Sequence, residues 1–167
     1  MALVQNMEDF VPQKSATEST ILDSGSILFI KTLLLGKKVD CRLLQEGGTI
    51  PNIDGSLELL DDNGAIIGRI TVQVKHLTHP ANSGGAFYDI PKSIYAYASQ
   101  LKGEVVIFIA CDQDNGVFYW RYIDNQAIKD FVNHSDHIQS TVRYHFKQEE
   151  SCTKDNVIDT VAAWNKL

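Results

Sequence analysis

Three polar residues of this sequence have the types and spacing that a metal-dependent hydrolase needs. Asp54 stands at the start of one strand-like run, and Gln73 and Lys75 stand near the end of the next. A carboxylate and an amide oxygen side by side can hold Mg²⁺, a hard cation that prefers oxygen ligands. An ammonium two residues along the strand can orient or help deprotonate an attacking water and stabilise charge on a phosphate. The three residues therefore predict phosphodiester cleavage, and the alternative is that Asp54 caps a strand while the others line a wetted sheet face.

The segment 54–75 has the pattern of a β-hairpin. Asn63-Gly64 lies between two strand-like runs, and this dipeptide predicts a two-residue turn because both positions tolerate positive φ. Such a turn places Asp54 directly opposite Gln73, with Lys75 on the same face because side chains alternate along a strand.

The two faces of this hairpin are predicted to differ. On the polar face Glu58 falls opposite Arg69, where a cross-strand ion pair is expected. The other face collects apolar residues that are fit for burial, namely Leu57, Leu59, Ile66, Ile70, Val72 and Val74.

These residues resemble the PD-(D/E)XK restriction-endonuclease-like superfamily. The resemblance lies in Ile53-Asp54-Gly55, Ser56-Leu57-Glu58-Leu59 and Val72-Gln73-Val74-Lys75. More narrowly, the chain is similar to a family of uncharacterised bacterial domains with an "IDG…vQvK" signature, a Gln variant of the Mrr-like type. The similarity continues through Tyr88 to Tyr97, the hydrophobic strand Val105 to Ile109 and the Tyr119-Trp120 strand, and covers roughly residues 18–146.

The resemblance implies a Mg²⁺-dependent (or Mn²⁺-dependent) DNA endonuclease with an α-β-β-β-α-β core. Such a domain serves as the effector of a bacterial defence or restriction system. By the same resemblance Asp54 is the metal-binding aspartate, Gln73 takes the place of the second acid, and Lys75 is the motif lysine. The backbone carbonyl of Val74 is implied as a further metal ligand.

Two features depart from the family pattern. The neutral Gln73 adds no charge to a metal site, so metal affinity should be lower than with Glu. Pro51 stands three residues ahead of Asp54, whereas the family's proline usually stands directly before the aspartate. An acid on the preceding helix often completes such sites, for which Glu18 is the first candidate and Asp23 the second.

These departures keep other functions open. One alternative is a catalytically inactive nuclease-fold module for nucleic-acid binding or protein assembly, and another is an α/β domain that binds a small molecule. Two H-x-x-H pairs, His76 with His79 and His134 with His137, match a zinc motif, but no cysteine stands near them. His76 follows Lys75 directly and is instead a candidate for contact with a phosphate.

The remaining pattern predicts the elements that position the hairpin. They are a helix over Ile21–Leu35, with a strand from Ile27 as the alternative, a strand over Val39–Leu43, a loop over His79–Phe87, a helix over Ser93–Leu101 with Asp89 as its N-cap, a doubly buried strand over Val105–Ala110, a return strand over Val117–Ile123, a helix over Gln126–Val132, a strand over Ser140–Phe146 and a helix over Asn156–Trp164. This order predicts an α/β (α+β) fold, a mixed central sheet flanked by helices, to which the resemblance adds a restriction-endonuclease-like core with extra C-terminal strands and helix.

Length and composition fit one domain. Residues 1–17 are expected to be a mobile N-terminal segment and residues 18–167 a single nuclease-like domain, the N-terminal part of a longer protein because its last helix lacks a cap. Lys and Arg number 15 against 21 Asp and Glu, for a net charge of -6. This balance excludes a protein that holds DNA mainly through a basic surface, so DNA contacts must be local or aided by a homo-oligomer or additional domains.

Cysteine usage and hydropathy bear on the compartment. The three cysteines form no close pair, which favours reduced thiols in a cytoplasmic protein. The longest apolar run, Ile27 to Leu35, contains Lys31 and is shorter than the roughly 20 residues that span a bilayer, so no membrane partner is expected.

Overall fold

The structure is a computed structural model that describes residues 18–43, 53–79, 81, 84–134 and 140–167. The segment 1–17, predicted to be mobile, lies outside these residues, as do Pro51 and His137. Helix α1, Glu18–Leu34, is the first described element. It confirms the predicted helix over the alternative strand, and the chain leaves it through Gly36 at φ 72°, a conformation that glycine adopts without steric cost.

The other elements follow in the predicted order, with three additions. They are β1 (Val39–Leu43), β2 (Gly55–Leu60), β3 (Ile66–His76), β4 (Phe87–Pro91), α2 (Lys92–Gln100), β5 (Val105–Asp112), β6 (Val117–Tyr122), α3 (Asn125–His134), β7 (Thr141–His145), a 3₁₀ turn (Gln148–Glu150), β8 (Ser151–Cys152) and α4 (Val157–Trp164). Strands β4 and β8 and the 3₁₀ turn were not predicted.

The described strands of the central sheet follow the order β1-β2-β3-β5-β6-β8. Strands β3 and β5 pair in parallel, with Gln73 beside Phe108 and Lys75 beside Ala110. A parallel pair needs a crossover connection, which β4 and α2 supply. The structure thus confirms a mixed central sheet flanked by helices.

Each face of the sheet has its own core. Helices α1 and α4 cover one face through buried residues that include Ile27, Ile30, Leu34, Val157, Val161 and Trp164. Helices α2 and α3 and strand β4 cover the other through Ile90, Ile94, Tyr95, Ala98 and Ala127. Strand β5 contributes to both cores, since Ile107 and Ile109 face the first while Val106 and Phe108 face the second. This agrees with its prediction as a strand covered on both sides.

The predicted N-cap at Asp89 is wrong, and among the described residues the predicted loop His79–Phe87 differs from the structure only at Phe87, where β4 begins. Residues Phe87–Pro91 form β4, which pairs with β7 in a separate two-stranded sheet, and α2 starts after Pro91. Asp89 pairs across this sheet with Arg143. The reason is tertiary, because the strand around Asp89 buries Ile90 fully in the second core.

Two further properties concern cysteines and hydropathy. Cys41, Cys111 and Cys152 are all free thiols, and the last two are buried. Across the described part of the chain, no helix has both the length and the apolar character that crossing a bilayer requires.

Candidate active site

The hairpin that carries the site has a longer turn than predicted. Asp61 N–H donates to the Ala65 carbonyl at 2.9 Å, which leaves residues 62–64 as a three-residue loop with Gly64 at φ 79°. The Asp61 carboxylate holds this loop by accepting from the Asn63 and Ala65 N–H groups, each at 2.8 Å. The predicted two-residue turn is therefore wrong by one residue.

A β-bulge in β3 restores the predicted register between the turn and the site. Leu60 pairs with Ile66 but Leu59 pairs with Gly68, so Ile67 is an extra residue in β3. Beyond the bulge the predicted register holds, with Glu58 opposite Arg69 and Gly55 opposite Val72. One residue predicted for the core is not buried as a result, since Ile66 is 55% exposed.

Asp54 stands where β2 begins. Its N–H donates to the Val72 carbonyl at 2.9 Å, and its Oδ2 accepts from the Val74 N–H at 2.7 Å. Val72 and Val74 are the two neighbours of Gln73, and the regular pairing of β2 with β3 stops at Gly55. The predicted pairing of Asp54 directly opposite Gln73 is therefore wrong, because Asp54 forms hydrogen bonds with these two neighbours instead. Burial raises the pKa of the half-buried Asp54 carboxyl, and the Asp23 carboxylate adds to the rise while the Val74 N–H and the Lys75 ammonium oppose it.

Gln73 is buried, so it does not line a wetted sheet face as the alternative to a metal site requires. Its side chain is 3% exposed, and its Oε1 has no hydrogen-bond partner among the described residues. An unpaired buried amide oxygen costs on the order of 1–3 kcal/mol, so it is a group that still needs a donor or a cation.

Lys75 is bound to helix α1. Its ammonium lies 2.8 Å from Asp23 Oδ2, with 32% of the lysine side chain and 19% of the aspartate side chain exposed. The other Asp23 oxygen accepts from the His76 N–H at 2.8 Å. Asp23, the second helix candidate, therefore joins α1 to the end of β3, whereas the side chain of the first candidate, Glu18, lies outside the described residues.

The Val74 carbonyl points to the edge of β3 on which Asp54 lies. We call this end of β3, with Asp54, Gln73 and Lys75, the notch. The N–H and carbonyl of one strand residue point to the same edge, and the Val74 N–H points to Asp54. Strand β2 ends at Gly55 on this edge, so the Val74 carbonyl lies beyond the regular strand pairing. It remains a predicted metal ligand, together with Asp54 and Gln73.

Two neighbours complete the surroundings. His76 Nδ1 is buried and finds no hydrogen-bond partner in the part of the chain that the structure describes. The Tyr88 hydroxyl has its pKa raised to about 12 by burial and by the nearby Asp23 and Asp89 carboxylates. Sequence reasoning gave Tyr88 no role in the site, because nothing in the local pattern shows that Tyr88 lies near Asp23.

The donor set is small. Within the described residues, no three His, Cys, Asp or Glu side chains form a metal-binding group. The notch instead offers one carboxylate, one unpaired amide oxygen and one carbonyl, all hard oxygen donors of the kind that Mg²⁺ binds while it keeps several waters. The unpaired Gln73 oxygen is the observation that fits a bound cation.

Comparison with known proteins adds no assignment. No protein-family model, no curated protein and no solved structure matches this chain.

Proposed function

We propose that this chain is a metal-dependent DNA endonuclease domain whose active site is the notch formed by Asp54, Gln73 and Lys75. The observation that carries the proposal is the buried Gln73 oxygen, unpaired among the described residues, on a strand whose next residue, Val74, donates a hydrogen bond to the Asp54 carboxylate. The resemblance described above supports DNA as the substrate and a role as the effector of a bacterial defence or restriction system.

Asp54, Gln73 and the Val74 carbonyl would hold Mg²⁺ or Mn²⁺. A cation bound there supplies charge stabilisation at the phosphate and lowers the pKa of a bound water. Asp54 must be ionised to bind it, and its raised pKa means that metal affinity falls as the pH drops through that pKa.

Lys75 acts on the attacking water. Its ammonium can donate a hydrogen bond to the water and stabilise the negative charge that develops on the phosphate oxygens in the transition state. In the hydrolysis the water oxygen forms a bond to phosphorus, one P–O ester bond breaks, and the leaving oxygen takes up a proton while the water loses one to solvent. Asp23 fixes the lysine in place for this task.

The order of elements supports the fold that the resemblance implies. Helix α1, strands β1 to β3, helix α2 and strand β5 follow one another as in an α-β-β-β-α-β core, with β4 added before α2. Strands β6 and β8 and helix α4 extend that core towards the C-terminus. We propose that the core is restriction-endonuclease-like.

A cleavage assay tests the proposal. Supercoiled and linear DNA are incubated with the protein in Mg²⁺ or Mn²⁺, and Asp54→Ala and Lys75→Ala are compared with two control variants, Asp159→Ala and Lys166→Ala, whose side chains are exposed on or after α4. We expect nicking by the parent and the controls and a loss of at least about 100-fold in both site variants. Equal nicking by all five proteins, or none by the parent in any metal, would contradict the enzyme. DNA binding without cleavage would favour the inactive module.

Gln73 gives a second test that does not depend on cleavage. Gln73→Glu should tighten Mg²⁺ binding because it adds a charge, and Gln73→Leu should abolish the Mg²⁺-induced rise in melting temperature that the parent shows. In the absence of metal Gln73→Leu should melt at or above the parent temperature, since it removes an unpaired buried oxygen. An equal Mg²⁺ effect in parent and Gln73→Leu would remove the residue from the metal site.

A further inference from the structure

A buried carboxylate holds two exposed arginines on the polar face of the β1–β3 sheet. Glu58 is 1% exposed, whereas the Arg42 and Arg69 side chains are 60% and 66% exposed. Arg69 Nη2 donates to Glu58 Oε1 at 2.7 Å, and Arg42 Nε lies 2.9 Å from Glu58 Oε2. The Arg69 hydrogen bond is the main cause that keeps the pKa of Glu58 below its usual range, and Arg42 adds to it. Glu58 thus stays ionised and fixes both side chains.

The arginine pair, Arg42 and Arg69, retains most of its hydrogen-bonding capacity. A guanidinium has five N–H donors. Among the described residues, Arg42 donates a hydrogen bond only through Nε, to Asp40, and is in ion-pair distance of Glu58, while Arg69 donates only through Nη2. The remaining donors of two positioned guanidiniums match the oxygens of a phosphate, which arginine recognises through paired hydrogen bonds.

The arginine pair lies on the same sheet face as the candidate active site. Side chains alternate, so Arg69, Gln73 and Lys75 share one face of β3. Strand geometry puts Arg69 about 13 Å from Gln73 along β3.

A groove lies beside Arg69. It has a volume of about 590 Å³ and is lined by Gly55, Ser56, Arg69 and Thr71 from the hairpin and by Tyr97 and Glu104 from the side of α2. Its hairpin wall runs from Gly55, the residue after Asp54, to Arg69. Glu104, whose carboxylate lies 3.4 Å from the Thr71 hydroxyl, is the acidic group of this groove.

We infer that the arginine pair binds a backbone phosphate of DNA on the strand that leads into the notch, with Glu58 as its positioning residue. This inference rests on the proposed function, because it concerns how that site receives its substrate. It explains how a chain with a net charge of -6 can hold a polyanion, since the contact is local.

DNA binding in the absence of divalent metal tests the inference apart from cleavage. The affinity for a fluorescein-labelled duplex of 16 base pairs is measured at several salt concentrations. Arg42→Gln/Arg69→Gln should weaken binding about tenfold or more and reduce the slope of log affinity against log salt by about one for each phosphate that the protein no longer neutralises. Lys154→Gln/Lys166→Gln makes the same charge change beside α4, and it should alter affinity less than about twofold.

Two further variants separate positioning from net charge. Glu104→Gln and Glu58→Gln each remove one negative charge, so simple electrostatics predicts tighter binding for both. We expect tighter binding only for Glu104→Gln and weaker binding for Glu58→Gln, because the latter releases the arginine pair. Where Arg42→Gln/Arg69→Gln does not fold, Arg42→Gln/Glu58→Gln/Arg69→Gln removes the buried charge as well and should show the same decrease in affinity and slope.

The outcomes are distinguishable from those of the cleavage assay. An unchanged salt slope in the arginine variants, an equally large decrease in affinity in the Lys154 and Lys166 control, or no DNA binding by the parent would overturn the inference. Weaker binding in the arginine variants together with no cleavage by the parent would uphold this phosphate site and contradict the nuclease.

Discussion

At the scale of single residues, the surroundings of Asp54 disfavour the charged form of its carboxyl group. Burial and the neighbouring Asp23 raise its pKa, and only the Val74 N–H and the Lys75 ammonium compensate among the described groups. A carboxyl in such surroundings lowers the stability of the fold at neutral pH, and function is the usual reason that such a group is retained.

Asp54→Asn should therefore stabilise the metal-free protein near neutral pH. The folded-state pKa lies above the unfolded one, so the folded state binds more protons and the free energy of unfolding falls as the pH rises through the interval between the two values. We expect the variant to melt about 1–3 °C higher at pH 7 and to have no such advantage below the usual aspartate pKa of about 3.9. Melting curves over a pH series measure this, with Asp159→Asn as the exposed control. A lower melting temperature at pH 7 would contradict the prediction.

Asp23 has the opposite role, since it accepts two hydrogen bonds that join α1 to β3. Asp23→Asn removes the charge opposite Lys75 and should lower the free energy of unfolding by about 1–2 kcal/mol. Urea titration measures the change, and Asp159→Asn again serves as control. A change below about 0.3 kcal/mol would mean that the ion pair does not link the two elements.

Sequence reasoning at this scale found residue types but not burial. Residue types and spacing predict a site at Asp54, Gln73 and Lys75. Gln73 and Lys75 lie near the end of β3, and the hydrogen bond from the Val74 N–H places the Asp54 carboxylate there as well. The burial of Gln73 could not be predicted, because the second core on its face is built from α2 and β4, which lie far along the chain. Tyr88 was missed for the same reason.

At the scale of elements, the register of the hairpin depends on two irregularities that compensate each other. A two-residue turn was predicted because Asn63-Gly64 favours it, but the Asp61 carboxylate closes a three-residue loop instead. The Ile67 bulge then restores the pairing at Leu59 and Gly68. Near the site the predicted register is correct only because the longer loop and the bulge shift the pairing by one residue in opposite directions. No local sequence pattern reveals this compensation.

Glycine substitutions test these irregularities. Gly55 has φ 145°, and a Cβ there would lie 2.0 Å from the Arg42 carbonyl oxygen, whereas Gly64 at φ 79° has open space around it. We expect Gly64→Ala to cost about 1 kcal/mol from its positive φ alone, and Gly55→Ala to cost more than about 3 kcal/mol or to prevent folding. Urea titration compares the two, and similar costs would contradict the close approach of β1 at Gly55.

At the scale of the whole molecule, two cores share one sheet. Both tryptophans, Trp120 and Trp164, lie in the core beneath α1 and α4, with ring centroids 6.0 Å apart. Tyr95 and Phe108 are among the buried aromatics of the other core. Strand β5 sends alternate residues into each, so neither core can come apart without exposing the strand to water on that side.

The two cores should therefore unfold together. Tryptophan fluorescence reports the first core alone, and far-UV circular dichroism reports helices and strands of both. We expect the two urea transitions to coincide, as in a single cooperative domain. A fluorescence transition separated from the dichroism transition would indicate two independent units and contradict the single domain predicted for residues 18–167.

The bulge at Ile67 determines which insertions and deletions the hairpin can accommodate. Because β3 is fixed on its far edge by the parallel ladder to β5, any residue added to or removed from the 62–64 loop must be absorbed between the loop and Gly68. Shortening the loop by one residue together with deletion of Ile67 should give a regular hairpin and leave the notch intact. Deletion of one residue between Gly68 and Gln73 could not be absorbed in this way. It would move the side chains of the site to the opposite face of the sheet and the core residues to the face that the site now occupies.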